Sequence, residues 1–318
     1  MGNGHSLSVS RAEVMVAPSG DSTVKAKVLD TASYKKGLQL LANGDKSGKW
    51  PATASIPIAG ALLPFNRVVA YYGNFYSTRM GVLGEYPIPV MLQKLKSQVQ
   101  EWEKADTLTR VIPALHYIAV TAQASPGDGN YRLRMPEKEI RKAIRLADSI
   151  KGIVFLDIQV GLSNIQKELP LLEKYLTLPN VHLGVDPEFS MKTGKRPGTV
   201  IGTMDAADIN FITANLASIV KENHLPPKIL VVHRFTLGML TNFERIATLP
   251  EVQIVINMDG FGSPILKKNS YYYFVYKLPV QFTGFKLFYK NDVKTGGRLM
   301  TPYDVLQLQP RPIYIQYQ

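Results

Sequence analysis

The chain of 318 residues contains no cysteine. Disulfides, zinc–thiolate centres and thiol nucleophiles are thereby excluded. No apolar run approaches the roughly 18–20 residues that cross a bilayer. The opening MGNGHSLSVS lacks the apolar core of a signal peptide and reads as an appended or processed terminus. Also missing are a Gly-x-Gly-x-x-Gly after a strand, a Walker sequence, a His-Glu-x-x-His and a Gly-x-Ser-x-Gly. Nucleotide-binding doubly wound folds, zincin-type proteases and serine hydrolases of the elbow type gain no support. Acidic residues are few beside basic ones, 25 against 37, and the formal net charge is +12. The basic residues are scattered in short clusters (Lys25/Lys27, Lys35/Lys36, Arg132/Arg134, Lys192/Lys195/Arg196, Lys267/Lys268) and not gathered in one stripe. No nucleic-acid partner is expected on that distribution. Surface solubility explains it, with an anionic substrate as the sharper alternative.

What is present is a large core and a repeating texture. Hydrophobic residues make up 45% of the chain and charged residues 19%, the composition of a globular protein. Residues 1–64 have weak periodicity, a candidate helix in YKKGLQLLA and punctuating prolines at Pro51, Pro57 and Pro64. They are expected to form an N-terminal arm packing on a main domain of residues 65–318. From Arg67 onward, short β-branched and aromatic runs alternate with amphipathic segments. Eight strands are expected near 67–72, 112–120, 153–158, 181–186, 228–233, 252–257, 282–288 and 312–317. The helical segments read between them include PIPVMLQKLKSQVQEWEKAD, PEKEIRKAIRLADSIKG, SNIQKELPLLEKYLT, DAADINFITANLASIVKENHL, MLTNFERIATL, SYYYFVYKL and TPYDVLQL, with TAQASPGDGNYRLRM as a long loop. Buried strands alternating with helices indicate a parallel sheet covered on its outside. Eight such units favour an α/β fold, a (β/α)8 TIM barrel with an irregular N-terminal arm; an open doubly wound sheet is the rival.

In such a barrel the active site forms at the C-terminal ends of the strands. The polar residues of this sequence cluster there: Tyr71, Tyr72 and Asn74 after the first strand, His116 in the second, and Asp157 and Gln159 after the third. Asp186 and Glu188 follow the fourth, His233 and Arg234 the fifth, Asn257 and Asp259 the sixth, and Lys286 and Tyr289 the seventh. The entering ends, Gly152-Ile153, Asn180-Val181, Lys228-Ile229 and Glu251-Val252 among them, carry no comparable cluster of titratable groups. Residues two apart share a face, so Asp157 goes with Gln159, Asp186 with Glu188 and Asn257 with Asp259. Carboxyl groups crowded beneath a barrel mouth divide into a protonated acid and an ionised partner, the pair that glycoside hydrolysis uses. Glu188 is the candidate general acid, Asp186 or Asp259 the candidate nucleophile or base, and Asp157 a further candidate catalytic carboxylate. Tyr71, Tyr72, Asn74, His116, Gln159, His233, Arg234, Lys286 and Tyr289 are candidate substrate contacts. Phe75, Tyr76, Phe189 and Phe261 are further aromatics for stacking on sugar faces. Lys286 is expected to pair with Asp259 or Glu188.

The architecture resembles glycoside-hydrolase TIM barrels in general. Asp186-Pro187-Glu188 is similar to the Asp-x-Glu that ends the fourth strand of chitinase-like enzymes, although VHLGV replaces the Asp-Gly-x-Asp pattern that precedes it there. The segments YYGN, GVLGEYP, LDIQVG, GVDPEF, VVHRF, NMDGFG and FKLFY resemble bacterial barrel proteins without an assigned activity, often exported or lipid-anchored. That resemblance implies a secreted or cell-envelope location, with membrane association only through a removed lipid anchor. The functional expectation is a glycan-acting hydrolase with a carbohydrate or other small polar substrate, no cofactor and no metal. A metal-dependent hydrolase or phosphodiesterase drawing ligands from His116, Asp157, Asp186, Glu188, His233 and Asp259, and a non-catalytic carbohydrate-binding surface protein, are the alternatives.

Overall fold

The computed structural model describes Met1 and residues 28–294 and 297–318. Lys25, Lys27, His5 and the first part of the arm lie outside the described residues. Eight strands, Asn66–Gly73, Arg110–Ala122, Ile153–Ile158, Val181–Val185, Lys228–Arg234, Val252–Met258, Phe282–Leu287 and Tyr314–Tyr317, form one parallel barrel. Each pairs in parallel with the next in sequence. The eighth closes on the first in the register Val68↔Tyr314 to Tyr71↔Tyr317. A closed (β/α)8 barrel leaves no open edge, and the open-sheet rival is excluded.

The period of two sorts side chains into two cores. Val68, Ala70, Ile112, Ala114, Ile153, Phe155, Ile229, Val231, Val255, Phe282 and Tyr314 pack together inside the lower barrel. The alternate residues, among them Val69, Leu115, Leu156, Leu183, Leu230, Ile254 and Phe285, pack outward against the helices. Strands buried on both faces therefore read as nearly continuous apolar runs. The helix Ile88–Ala105 contributes Met91, Leu95, Val99 and Trp102, spaced three or four apart on one stripe. Ala206–Glu222 starts with a capping box in which Asp205 accepts from the first turn and Asp208 accepts from the Asp205 N–H.

The described part of the arm covers the bottom of the barrel. Its helix, Thr31–Ala42, is capped by Asp30, whose carboxylate accepts from the Ala32 and Ser33 N–H groups. Tyr34 and Leu63 are buried in the interior cluster. Gln253 accepts from the N–H groups of Leu62 and Leu63, both at 3.1 Å, and donates to Leu63 O at 2.7 Å.

Several connecting segments depart from the sequence reading. MLTNFERIATL forms no α-helix: it follows on from a 3-10 turn, Leu237–Met239, and holds a two-residue strand, Leu240–Thr241, paired with Met204–Asp205, and a second 3-10 turn, Phe243–Arg245. Asn242 adopts a left-handed φ of 53°, which breaks the helical run between the turns. SNIQKELPLLEKYLT is split into Ile165–Glu168, a 3-10 turn Leu169–Leu172 and Glu173–Leu176, since Pro170 has no N–H to continue the ladder. The expected loop TAQASPGDGNYRLRM is a hairpin arm: the second strand runs on to Ala122 and pairs antiparallel with Arg132–Arg134. The basic pair Arg132/Arg134 is not a surface patch, because both guanidinium groups hold the buried Glu168, at 2.9 and 2.7 Å. Among the described residues no helix is long and apolar enough to cross a membrane.

Candidate active site

At the C-terminal ends of the strands a cavity of about 580 Å3 opens. Its polar wall is Tyr72, Gln159, Asp186, Glu188, Asp259 and Lys286, with Arg79 at the mouth; Phe189, Phe235, Phe261 and Phe288 supply the apolar wall. Asp186 follows the last residue of the fourth strand, and Glu188 lies in the 3-10 turn Pro187–Phe189. Asp186 Oδ1 caps that turn by accepting from the Glu188 N–H at 3.1 Å. Pro187 removes a donor there and narrows the backbone choice, so the pair reaches one cavity although the strand ends before it. Gln159 ties two neighbouring strands: its Oε1 accepts from Ala122 N at 3.1 Å, and its Nε2 donates to Asp186 Oδ2 and to the Tyr72 hydroxyl, both at 3.2 Å.

Below this floor lies a buried polar layer. Asp157 is fully buried and does not line the cavity; Tyr72 OH donates to its Oδ2 at 3.1 Å. Its other oxygen lies 3.2 Å from His116 Nε2 and 3.8 Å from His233 Nε2. His116 Nδ1 meets Tyr314 OH at 2.6 Å, and that hydroxyl accepts from Gln316 Nε2 at 3.0 Å. His233 Nδ1 lies 2.8 Å from Asp259 Oδ2, and Lys286 Nζ pairs with Asp259 Oδ1 at 2.8 Å. The Lys286 ammonium also lies 3.9 Å from the centre of the Tyr72 ring, a cation–π contact. Gly184, on the fourth strand, makes room for this layer: a Cβ there would overlap His116 Nε2 and Asp157 Oδ1.

These surroundings separate the carboxyl groups by protonation state. Burial pushes Asp186 up to about 8, helped by the nearby negative charges of Glu188, Asp259 and Asp157. Glu188 is pushed up to about 7, by burial first and the Asp259 charge second. Burial also acts on Asp259, but Lys286 and His233 outweigh it and hold this carboxyl at about 2. Asp157 is held low against its burial by His116, His233 and Lys286. Burial lowers His116 to about 4, whereas the carboxylates around His233, Asp259 foremost, overcome its burial and raise it. The site therefore holds two protonatable carboxyls beside an ionised one.

Of the expected catalytic carboxylates, the structure brings Asp186, Glu188 and Asp259 to the cavity and puts Asp157 one layer beneath. Tyr72, Gln159 and Lys286 line the cavity; His116 and His233 share the layer of Asp157. Four expected substrate contacts lie elsewhere. Tyr71 and Tyr289 bond to each other at 3.1 Å outside the barrel, against Tyr317. Arg234 faces the helical layer, with Nη2 on Leu240 O and its guanidinium over Phe243. All three sit one residue out of step with inward neighbours, so strand parity turns them away. Asn74 is spent on the turn, donating to Ile118 O and accepting from Tyr76 N. Phe75 stacks on Tyr117 outside the barrel and Tyr76 is exposed. Phe288 and Gln318 were legible by the same parity, two residues beyond Lys286 and Gln316; Phe235, Arg79 and Asn291 come from loops, and Ser270 from the helix Pro264–Tyr271, none of which carries such a signal.

No protein-family model matches the chain, and no curated protein does. Solved structures similar to it include a sugar phosphate isomerase/epimerase from Parabacteroides distasonis, 11% identical with a TM-score of 0.36 over 84% of this chain and 90% of that one. A glycoside hydrolase 5 lichenase from Caldicellulosiruptor sp. F32, in complex with cellotetraose, is 12% identical with a TM-score of 0.39 over 96% of this chain and 89% of that one.

Proposed function

We propose that the protein is a glycan-acting hydrolase of the glycoside-hydrolase type, with Glu188 as general acid and Asp259 as nucleophile or base. One observation carries this reading: a carboxyl with a raised proton affinity and a carboxylate held ionised line the same aromatic-walled cavity. Glycosidic cleavage needs that division, a proton for the departing oxygen and a negative charge for the oxocarbenium-like centre. Glu188 suits the acid role because it is only partly buried and its carboxyl has no hydrogen-bond partner among the described residues. Asp186 keeps its proton up to about pH 8 and is therefore not the ionised partner; it acts by holding the turn that carries Glu188. Phe189, Phe261 and Phe288 offer faces for sugar rings. Export to the cell envelope belongs to the same proposal on the motif resemblance; fractionation of the producing cells tests it.

The test is hydrolysis of a panel of aryl glycosides and oligosaccharides by the unaltered protein, E188Q and D259N. E188Q is expected to lose about 10²–10⁴-fold in kcat on leaving groups that need a proton, and much less on dinitrophenyl glycosides, which do not. D259N is expected to fail on both. Activity should fall as pH rises through about 7, where Glu188 gives up its proton. It should persist on the acid side, because Asp259 stays ionised down to about 2. Unchanged turnover in E188Q sinks the assignment. Binding of glycans without turnover by the unaltered protein favours the carbohydrate-binding alternative.

A further inference from the structure

We propose that His116, Asp157 and His233 form a binding site for one divalent transition-metal ion of the zinc class, directly beneath the cavity floor. The proposal goes beyond the glycosidase reading and does not rest on it.

Three strands contribute one ligand atom each: His116 Nε2 from the second, Asp157 Oδ1 from the third and His233 Nε2 from the fifth. All three lie within 4.8 Å of one another, two of the separations being 3.2 and 3.8 Å. Separations of 3.2 and 3.8 Å are those of ligand atoms bonded to one ion at about 2.0–2.2 Å. All three residues are fully buried, and none of the three atoms has a hydrogen-bond partner among the described residues. The 3.2 Å approach of His116 Nε2 to Asp157 Oδ1 is an ion-pair distance that does not meet hydrogen-bond geometry. Buried polar atoms left without partners cost about 1–3 kcal/mol each. Three of them aimed at one point call for a shared partner.

The outer atoms of the same side chains are engaged. His116 Nδ1 is held by Tyr314 OH, which Gln316 supports in turn. His233 Nδ1 is held by Asp259 at 2.8 Å. Asp157 Oδ2 accepts from Tyr72 OH at 3.1 Å. Metal-binding histidines are oriented in this way, with the far ring nitrogen on a carboxylate or another polar group and the near one left for the ion. Gly184 completes the cradle, since any Cβ would fill the space beside His116 Nε2 and Asp157 Oδ1. Two imidazoles and one carboxylate select zinc, cobalt, nickel or iron(II) over calcium and magnesium, which prefer all-oxygen sites. The ring of Tyr72, 5.3 Å from His116 and 5.7 Å from His233 between centres, covers the site on the cavity side. The ion would thus be a positioning element, fixing His233 and through it the orientation of Asp259.

The experiment is elemental analysis of untagged protein purified without chelator, followed by zinc titration of the stripped chain against a chromophoric chelator. The expected result is one zinc per chain, with affinity lowered at least tenfold in H116Q and D157N. Y314F removes only the hydroxyl that orients His116, and should weaken binding about 10–100-fold. If H116Q or D157N fails to fold, Y314F and the visible spectrum of cobalt(II) in the unaltered protein carry the test; nitrogen–oxygen coordination without thiolate bands is the expected signature. Failure of the unaltered protein to bind zinc stoichiometrically, or stoichiometric binding that none of these substitutions weakens, overturns the proposal.

Discussion

Asp186 occupies a position in which the fold favours its neutral form, and that has a consequence for stability. In the unfolded chain the group ionises near 3.8, and in the folded protein near 8, chiefly through burial. The folded state keeps a proton that the unfolded state releases. Its contribution is therefore fully present below about pH 4 and is lost as pH rises toward 8. Glu188, raised from 4.5 to about 7, acts with the same sign over a narrower window. Together they are expected to lower the unfolding free energy progressively between pH 4 and 8. D186N cannot ionise, so urea unfolding at a series of pH values should show a shallower decline for this variant than for the parent. Parallel curves would mean that Asp186 is already ionised in the folded protein.

At the scale of elements, the cavity rim depends on a buried ion pair that no strand pattern announces. Lys267, on the helix Pro264–Tyr271, pairs with Asp292 at 2.9 Å and donates to Gly260 O and Lys286 O. Asp292 accepts from Gly262 N and from Phe288 N, both at 3.0 Å. One pair thus ties the loop after the sixth strand to the end of the seventh, the two segments that bring Asp259 and Lys286 together. K267M leaves Asp292 as an uncompensated buried charge and is expected to cost about 3–5 kcal/mol. Restoring neutrality in K267M/D292N should recover part of that loss; equal melting temperatures for K267M and parent would show that the pair bears no stability. The sequence offered Lys267 only as half of a basic doublet, because ion pairing between segments is invisible to periodicity. The strands themselves were legible, since burial on both faces leaves an apolar run that no solvent-facing residue interrupts. So was the ring of carboxylates, placed by strand ends and parity. The same parity, applied strictly, separates Tyr72 from Tyr71 and Phe288 from Tyr289. The depth of His116, Asp157 and His233 was not legible, because height within a barrel is set by strand tilt and by the register across neighbours, which one strand alone does not reveal.

The whole molecule divides along the barrel axis into an end that carries the polar cavity and an end that carries stability. The upper layers hold Tyr72, Asp157, Asp186, His233, Asp259 and Lys286; the lower interior is mostly apolar, with His182 against Phe155 and Gln253 as polar exceptions, and is sealed from below by Tyr34 and Leu63. Gln253 is the polar joint between arm and barrel, fully buried, with both halves of its amide bonded to the backbone of Leu62 and Leu63. Q253L keeps the bulk but leaves two N–H groups and one carbonyl without their partner. At about 1–3 kcal/mol for each orphaned group, partly relieved by local movement, the expected loss is about 2–4 kcal/mol in unfolding free energy. The opposite end should be untouched, so ligand binding and any turnover measured well below the melting temperature should match the parent. A chain truncated to begin at Asn66 would expose the whole lower interior and is expected to aggregate or to bind hydrophobic dyes, a larger effect of the same cause. If Q253L unfolds like the parent, the arm is held by apolar contact alone. If instead it alters binding in the cavity, the two ends are coupled through the barrel, and the division along the axis is wrong.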